Sequence, residues 1–384
     1  ASNQGLNAGA RRVAAFFGTY FAYVGLFSPY LSLWLNGRGF SPTEIGILVS
    51  PMQWARVVGP PAWGWLADHS SPRRVPRIVQ WAAVAAAISA TLLLLDWSFW
   101  GLFAVLCLMS FFLSGQIPIA ESLALQTSKG DLGTYGRMRV WGSIGFIAAV
   151  LLAGLWFDRM GVETLPALLI LALAIVAVSA LALPARAAQL HDEAPVGLRL
   201  ILAQPKVRLF LLASFLMLLA HAPLYTLFSL WLEQNGFTRT EIGVLWTLGV
   251  LAEIVLFQYQ RPLFERLGLT RCWVGAFWVT ALRFGLIAVS GGGLFLIVIA
   301  QLLHAVTFGV HHSASMALVR EWFPAQAQAR GQALYTMASY GLGGSLGGMA
   351  TGWIWETFSP EATFMVAVAF ASLGGVVAAR AAKA

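Results

Sequence analysis

The chain has 384 residues, 59% of them apolar and 10% charged, against about 45–50% and about 25% in ordinary soluble domains. That balance excludes a soluble globular fold, and two cysteines in apolar runs, Cys107 and Cys272, offer neither a disulfide framework nor a thiolate metal centre. The formal charge of +8 is what arginines flanking membrane spans supply, so it does not call for a nucleic-acid partner.

A helix needs about 20 apolar residues to cross about 30 Å of hydrocarbon. Stretches of that size recur twelve times, at 13–35, 44–66, 77–95, 99–126, 136–157, 164–184, 208–232, 240–262, 272–290, 294–319, 331–356 and 362–380. The fold class expected is an all-α membrane protein with twelve transmembrane helices in two six-helix, pseudo-symmetric halves. The N-terminal bundle is placed at 1–184, a cytoplasmic linker at 185–207 and the C-terminal bundle at 208–384. The first apolar run, from Val13, leads into a full span with no small-residue cleavage site behind it, so no cleavable leader is expected.

With both termini cytoplasmic, 18 of the 24 lysines and arginines fall inside, while Arg38, Arg159 and Arg239 fall outside and Arg56, Arg139 and Arg283 lie within spans. This asymmetry predicts a multi-pass protein of a bacterial-type inner membrane with both ends in the cytoplasm.

In chain order, span one carries Tyr20, Tyr23 and Phe27 on one helical face, suited to stacking an aromatic cargo or to packing. It ends in SLWLNGRGFSPTEIGIL, Ser32 to Leu48, which returns as SLWLEQNGFTRTEIGVL, Ser229 to Leu245, 197 positions later (229 − 32). Each copy reads as the outer turn between the first and second span of its half. A hydroxyl residue caps the new helix, and Glu44 or Glu241 sits at the positive end of its dipole. A weaker echo pairs AGLWFD, ending at Asp158, with TGWIWE, ending at Glu356. Two parallel six-span halves are a transporter plan, with the substrate site near the bilayer midplane where the repeats meet.

An ionised side chain inside a bilayer costs several kcal/mol, so such residues face a cavity, pair with one another, or work. Span two places Arg56 there, span four Glu121, span five Arg139, span eight Glu253 and span nine Arg283. Glu121 with Arg139, and Glu253 with Arg283, read either as static pairs or as cargo and proton sites. His221, His304, His311 and His312 add groups that titrate near neutral pH, each also readable as a packing residue. His191, Asp192 and Glu193 in the linker read as a solvated patch, and the GLGGSLGG run from Gly341 to Gly348 as a close-packing helix face. No His-Glu-x-x-His, Gly-x-Ser-x-Gly or paired Asp motif occurs, so an enzyme is not expected.

GWLADHSSPRR, Gly64 to Arg74, resembles the loop signature of the major facilitator superfamily between spans two and three, departing after Asp68 and at Pro72. The resemblance extends over essentially the whole chain and implies a conformational latch at Gly64, Asp68, Arg73 and Arg74. Within that superfamily the chain is similar to the proton-symporter branch of lactose permease and the phenylpropionate permeases. ESLALQTSKGDLGTYGRMR sets Glu121 eighteen residues before Arg139 (139 − 121), the branch's sugar-binding spacing, and Phe146 stands where a stacking Trp is found. Glu253, Arg283 and His304 match the branch's residues on spans eight, nine and ten. Gln301 replaces a Lys and Thr307 the Glu that carries the coupled proton, which puts that coupling route in doubt. HHSASMALV from His311 and RGQALY from Arg330 resemble the phenylpropionate side.

The expected function is therefore secondary active transport by alternating access: proton-coupled symport of a small organic solute, an aromatic carboxylate such as a phenylpropionate-like acid, or a sugar or nucleoside. Three intramembrane arginines against two glutamates favour an anion. The alternative is proton-driven efflux by the same fold, disfavoured because no Gly-Pro-x-x-Gly-Gly run occurs from Val140 to Trp156. Candidate substrate contacts are Glu121, Arg139, Phe146, Arg56, Tyr20, Tyr23 and His304, and candidate proton-coupling groups are Glu253, Arg283, Glu121 and His304. The partners expected are the solute, protons and the lipid bilayer, with no cofactor, metal or nucleic acid, and the chain is expected to be a monomer.

Overall fold

The computed structural model describes residues 6–129, 131–185, 198–323 and 328–384. The linker residues His191, Asp192 and Glu193 lie outside them. Among the described residues every regular element is helical. The first eight helices are α1 (Ala8–Gly37), α2 (Pro42–Val49), α3 (Pro51–Asp68), α4 (Val75–Thr91), α5 (Phe99–Ser114), α6 (Gln116–Thr127), α7 (Leu132–Met160) and α8 (Leu165–Ala180). After a short α9 (Leu198–Ala203) come α10 (Pro205–Thr226), α11 (Phe228–Gln234), α12 (Arg239–Leu267), α13 (Leu269–Val289) and α14 (Leu294–Leu302). The chain closes with α15 (His311–Trp322), α16 (Gln328–Thr336), α17 (Gly344–Thr357) and α18 (Pro360–Ala381).

Nine helical runs among the described residues are long and apolar enough to cross a membrane. The other three expected spans fall on α1, on α2 with α3, and on α16 with α17, all helical as well. Several spans are jointed: α5 gives way to α6 at Gly115. Wide π-helical turns occupy Ala305–Val310 and Met337–Gly343. A π-turn shifts the register of every side chain beyond it, and such bulges concentrate at functional sites.

The doubled stretch folds identically. Gly39 and Gly236 both turn the chain at positive φ, +86° and +87°, a region only glycine enters cheaply. Each copy then builds a capping box. The Ser41 amide donates to Glu44 Oε2 at 2.9 Å and the Glu44 amide to Ser41 Oγ at 3.4 Å. In the second copy the Thr238 amide donates to Glu241 Oε2 at 2.8 Å and the Glu241 amide to Thr238 Oγ1 at 3.2 Å. Two orphan amides of each new helix are satisfied reciprocally.

The chain divides into two compact units: unit 1 holds Ala1–Gly39, Trp54–Leu190 and Thr238–Gly243, and unit 2 holds Phe40–Gln53, His191–Phe237 and Val244–Ala384. In unit 1, α1 lies directly against α7. A methyl group on Gly145 would overlap the Gly18 carbonyl oxygen, and one on Gly25 would sit 2.6 Å from the Phe146 carbonyl oxygen. Small residues let the two backbones touch, which is how helices associate where apolar lipid offers no hydrophobic drive.

The buried Tyr30 hydroxyl fastens the outer end, donating to the Val150 carbonyl at 2.8 Å and lying 3.2 Å from that of Arg239. Asp158, at the end of α7, accepts from the Arg239 and Thr240 amides at 2.9 Å each and from the Thr240 hydroxyl, capping the first turn of α12. Before α7, Asp131 caps the helix, and the Thr134 hydroxyl with the Thr134 and Gly133 amides holds its carboxyl below the usual range.

Unit 2 packs α10, α13, α15 and α18 around Trp273. Phe210 stacks on that ring at 5.4 Å, Phe277 meets it edge-on at 5.5 Å, and its indole N–H donates to Ser315 Oγ at 3.1 Å. The partner arrangement to the Asp158 cap recurs here: Glu356, at the end of α17, accepts from the Thr43 amide at 3.1 Å at the start of α2. A methyl group on Gly46 would lie 2.5 Å from the Gly348 carbonyl oxygen, so α2 and α17 also meet backbone to backbone.

Candidate functional site

Two charged clusters lie within the helices, one in each unit. In unit 1, Arg139 projects from α7 and Glu121 from α6. Arg139 Nε stands 3.7 Å from Glu121 Oε1, and the two side chains are 35% and 37% exposed. The pair is loose, and both side chains are partly exposed. The guanidinium also lies over the rings of Phe17 and Phe21 on α1, at 5.2 and 4.7 Å to their centroids. Cation–π contact of this kind adds roughly 0.5–1 kcal/mol and keeps the planar fork oriented. The cluster thus presents a carboxylate, a guanidinium and an aromatic wall together.

The other residues predicted for this side are spread around it. Tyr20 and Tyr23 are buried, their rings meeting edge-on at 6.2 Å, and Phe27 continues the row 5.5 Å from Tyr23. The Tyr20 hydroxyl donates to the Leu113 carbonyl at 3.3 Å, while the buried Tyr23 hydroxyl has no hydrogen-bond partner among the described residues. Arg56 on α3 is half-buried and lies within electrostatic reach of Tyr20. Phe146 on α7 is half-buried, its backbone pressed against Gly25. Of the latch residues, Gly64 and Asp68 lie in the last turns of α3, and exposed Arg73 and Arg74 in a 3-10 turn at Pro72–Arg74.

In unit 2 the charges form a chain. Arg283 on α13 is fully buried and makes no ion pair among the described residues. It donates to His304 Nδ1 at 3.1 Å, Thr307 Oγ1 at 3.0 Å and Gln301 Oε1 at 3.0 Å. Gln301 is itself held by donating to the Leu245 carbonyl at 2.9 Å. Across the ring, His304 Nε2 stands 3.5 Å from Glu253 Oε2, with side chains 11% and 17% exposed. The chain reaches from a buried cation through an imidazole to an acid at the edge of accessible space. The π-turn that starts after His304 brings Thr307 back to the same guanidinium.

The remaining histidines take packing positions. His221 donates from Nδ1 to the Met217 carbonyl at 2.9 Å and lies edge-on to Phe284. His311 is buried between Trp273 and Phe277. His304, Phe308 and His312 stack in parallel, 5.3 and 6.0 Å apart. No group of three or more metal-ligating side chains occurs among the described residues.

Residues 11–366 match the model of the MFS_1-like family. The chain belongs to that family. Within it, the chain is 28% identical over 312 residues to a probable 3-phenylpropionic acid transporter of Escherichia coli (strain K12), covering 78% of this chain and 79% of that one. It is also 28% identical over 357 residues to the maltose permease of Geobacillus stearothermophilus, covering 91% and 88%. The fold superposes on a single-substitution mutant of the nucleoside transporter NupG with a TM-score of 0.85 at 18% identity, covering 97% of this chain and 99% of that one. The MFS_1-like chain is thus a multi-pass helical membrane protein whose relatives are transporters.

The structure adds four kinds of participant. Phe17 and Phe21 share a helical face four residues apart, a signal legible beside the Tyr20 row. Gln301 and Thr307, noted only as departures, are the side chains that hold Arg283. The π-turns leave no mark in hydropathy. Asp158 and Glu356 entered as an echo in the repeat, and only the structure gives them partners.

Proposed function

We propose that this protein is a proton-coupled symporter of a small organic solute in a bacterial inner membrane, working by alternating access with both termini cytoplasmic. The observation that carries the reading is the Glu253–His304–Arg283 chain, a titratable acid linked to a buried cation within membrane-spanning helices. Groups so placed are expensive, and in transport proteins they mark proton routes and substrate sites. Glu253 takes the proton; Glu121 and Arg139, accessible and loosely paired, meet the cargo, with Phe17, Phe21 and Phe146 offering ring surfaces. The halves 1–184 and 208–384 move as monomer-contained bundles, and Gly64, Asp68, Arg73 and Arg74 form the inner latch.

The cargo class favoured is an aromatic carboxylate, ahead of a sugar or nucleoside. Three intramembrane arginines against two glutamates leave a cation surplus, and a guanidinium is the natural partner of a carboxylate. A relative named for 3-phenylpropionic acid supports the same choice, while the maltose relative keeps sugars in view.

Purified protein reconstituted in vesicles tests the reading. An inward proton gradient is expected to drive accumulation of the cargo above its external concentration. Expulsion of cargo under that gradient would establish the efflux alternative instead.

A further inference from the structure

Arginine can only donate hydrogen bonds. Because Arg283 Nη1 lies 3.1 Å from His304 Nδ1, that nitrogen must be the unprotonated acceptor, and the imidazole carries its single proton on Nε2. The Nε2–H faces Glu253 Oε2 at 3.5 Å. A second proton on His304 would have to displace the buried guanidinium, so the histidine is held neutral and is not the proton carrier. Gln301 and Thr307 keep Arg283 in this pose. Among the described residues, His221 and Tyr225 on α10 also lie within electrostatic reach of Arg283. The acid that meets this chain is Glu253, on the far side of the histidine from Arg283.

Resting on the symport reading, we propose that Glu253 is an internal stand-in for the cargo: its protonation releases the His304 Nε2–H, backed by the Arg283 charge, to a monocarboxylate. A proton from outside adds to Glu253 and leaves the buried guanidinium without a countercharge. A buried charge left uncompensated is unfavourable, and an incoming carboxylate on His304 Nε2 restores the balance. Proton and anion binding then favour each other reciprocally, and one proton travels with one anion with no net charge moved. A neutral sugar or nucleoside brings no countercharge and gains nothing from the protonation. Arg283, fully buried, is a positioning residue that acts through His304, which touches the cargo.

The experiment is calorimetric binding of 3-phenylpropionate, benzoate, maltose and uridine to the purified full chain across a pH series, repeated in buffers of different ionisation enthalpy. A carboxylate is expected to bind with uptake of one proton, tightening about tenfold for each pH unit of acidification above the midpoint for Glu253. Glu253→Gln is expected to flatten that pH profile and abolish proton uptake. Arg283→Gln is expected to lose carboxylate binding, and Arg283→Lys, which keeps the charge and a donor to Nδ1, to recover the pH slope. If Arg283→Gln does not fold, the Arg283→Lys and Glu253→Gln slopes decide alone. Carboxylate binding without proton uptake, an unchanged slope in Glu253→Gln, or binding of maltose or uridine with neither carboxylate binding at any pH would each overturn the inference. Vesicle transport separates the two readings. Proton-driven accumulation of maltose or uridine keeps symport and sinks the carboxylate inference, whereas proton-linked carboxylate binding with expulsion from vesicles keeps the inference and sinks symport.

Discussion

Arg139 is held at once by charge and by rings: Glu121 at 3.7 Å on one side, the faces of Phe17 and Phe21 on the other. A ligand that displaces Glu121 can pair with the guanidinium without disturbing its stacking. Hydrogen bonds to charged groups contribute about 1.5–3 kcal/mol. Arg139→Gln is therefore expected to weaken binding of the stabilising solute, found by thermal-shift screening of sugars, nucleosides and aromatic acids, by about 10- to 100-fold, whereas Glu121→Gln, which removes the competing carboxylate, is expected to tighten binding of an anion. A dissociation constant unchanged in both variants would make the pair a helix staple. Arg139→Lys keeps the charge but not the planar stack, and is expected to fall between wild type and Arg139→Gln. The ionisable residues themselves were legible in the sequence because charge in a hydrophobic run is conspicuous. Their partners were not: that Gln301 and Thr307 converge on Arg283 depends on how α13 rotates against the π-turn after His304.

The contacts between helices are made by glycines and by caps. Gly145 has no room for a methyl against the Gly18 carbonyl, whereas Gly136, on the same helix, has open space where its Cβ would go. Gly145→Val is expected to destabilise the protein by about 1–3 kcal/mol or more through overpacking, seen as a lower melting temperature in detergent. Gly136→Ala is expected to match or exceed wild type, since alanine is the better helix former. An equal loss in both would refute the close-approach account.

Asp158 and Glu356 each satisfy amides at the start of a helix from the opposite half of the sequence, α12 and α2 respectively. Losing a cap costs about 0.5–2 kcal/mol, so Asp158→Ala with Glu356→Ala is expected to speed hydrogen exchange at Thr240 and Thr43 by about 2- to 30-fold. Unchanged protection there would show the caps to be incidental. The doubled turn was readable because it is local, Gly, Ser or Thr, and Glu at fixed spacing. The acids that meet it are more than 80 and 300 residues away along the chain (240 − 158 and 356 − 43), and no spacing rule pairs them.

For the molecule as a whole, runs of about 20 apolar residues made the helical membrane architecture legible, and the MFS_1-like match over residues 11–366 bears out the family. Hydropathy could not reveal the breaks at Gly115 and at the two π-turns, because a jointed helix and a straight one have the same composition. The proposed coupling rests on one acid, Glu253, within this architecture. The measurement that tests it most directly compares wild type with Glu253→Gln in the same vesicles, reading accumulation of labelled cargo under an inward proton gradient alongside exchange at equal concentrations. Glu253→Gln is expected to retain exchange and to lose accumulation altogether. Accumulation by Glu253→Gln at the wild-type level would contradict the account.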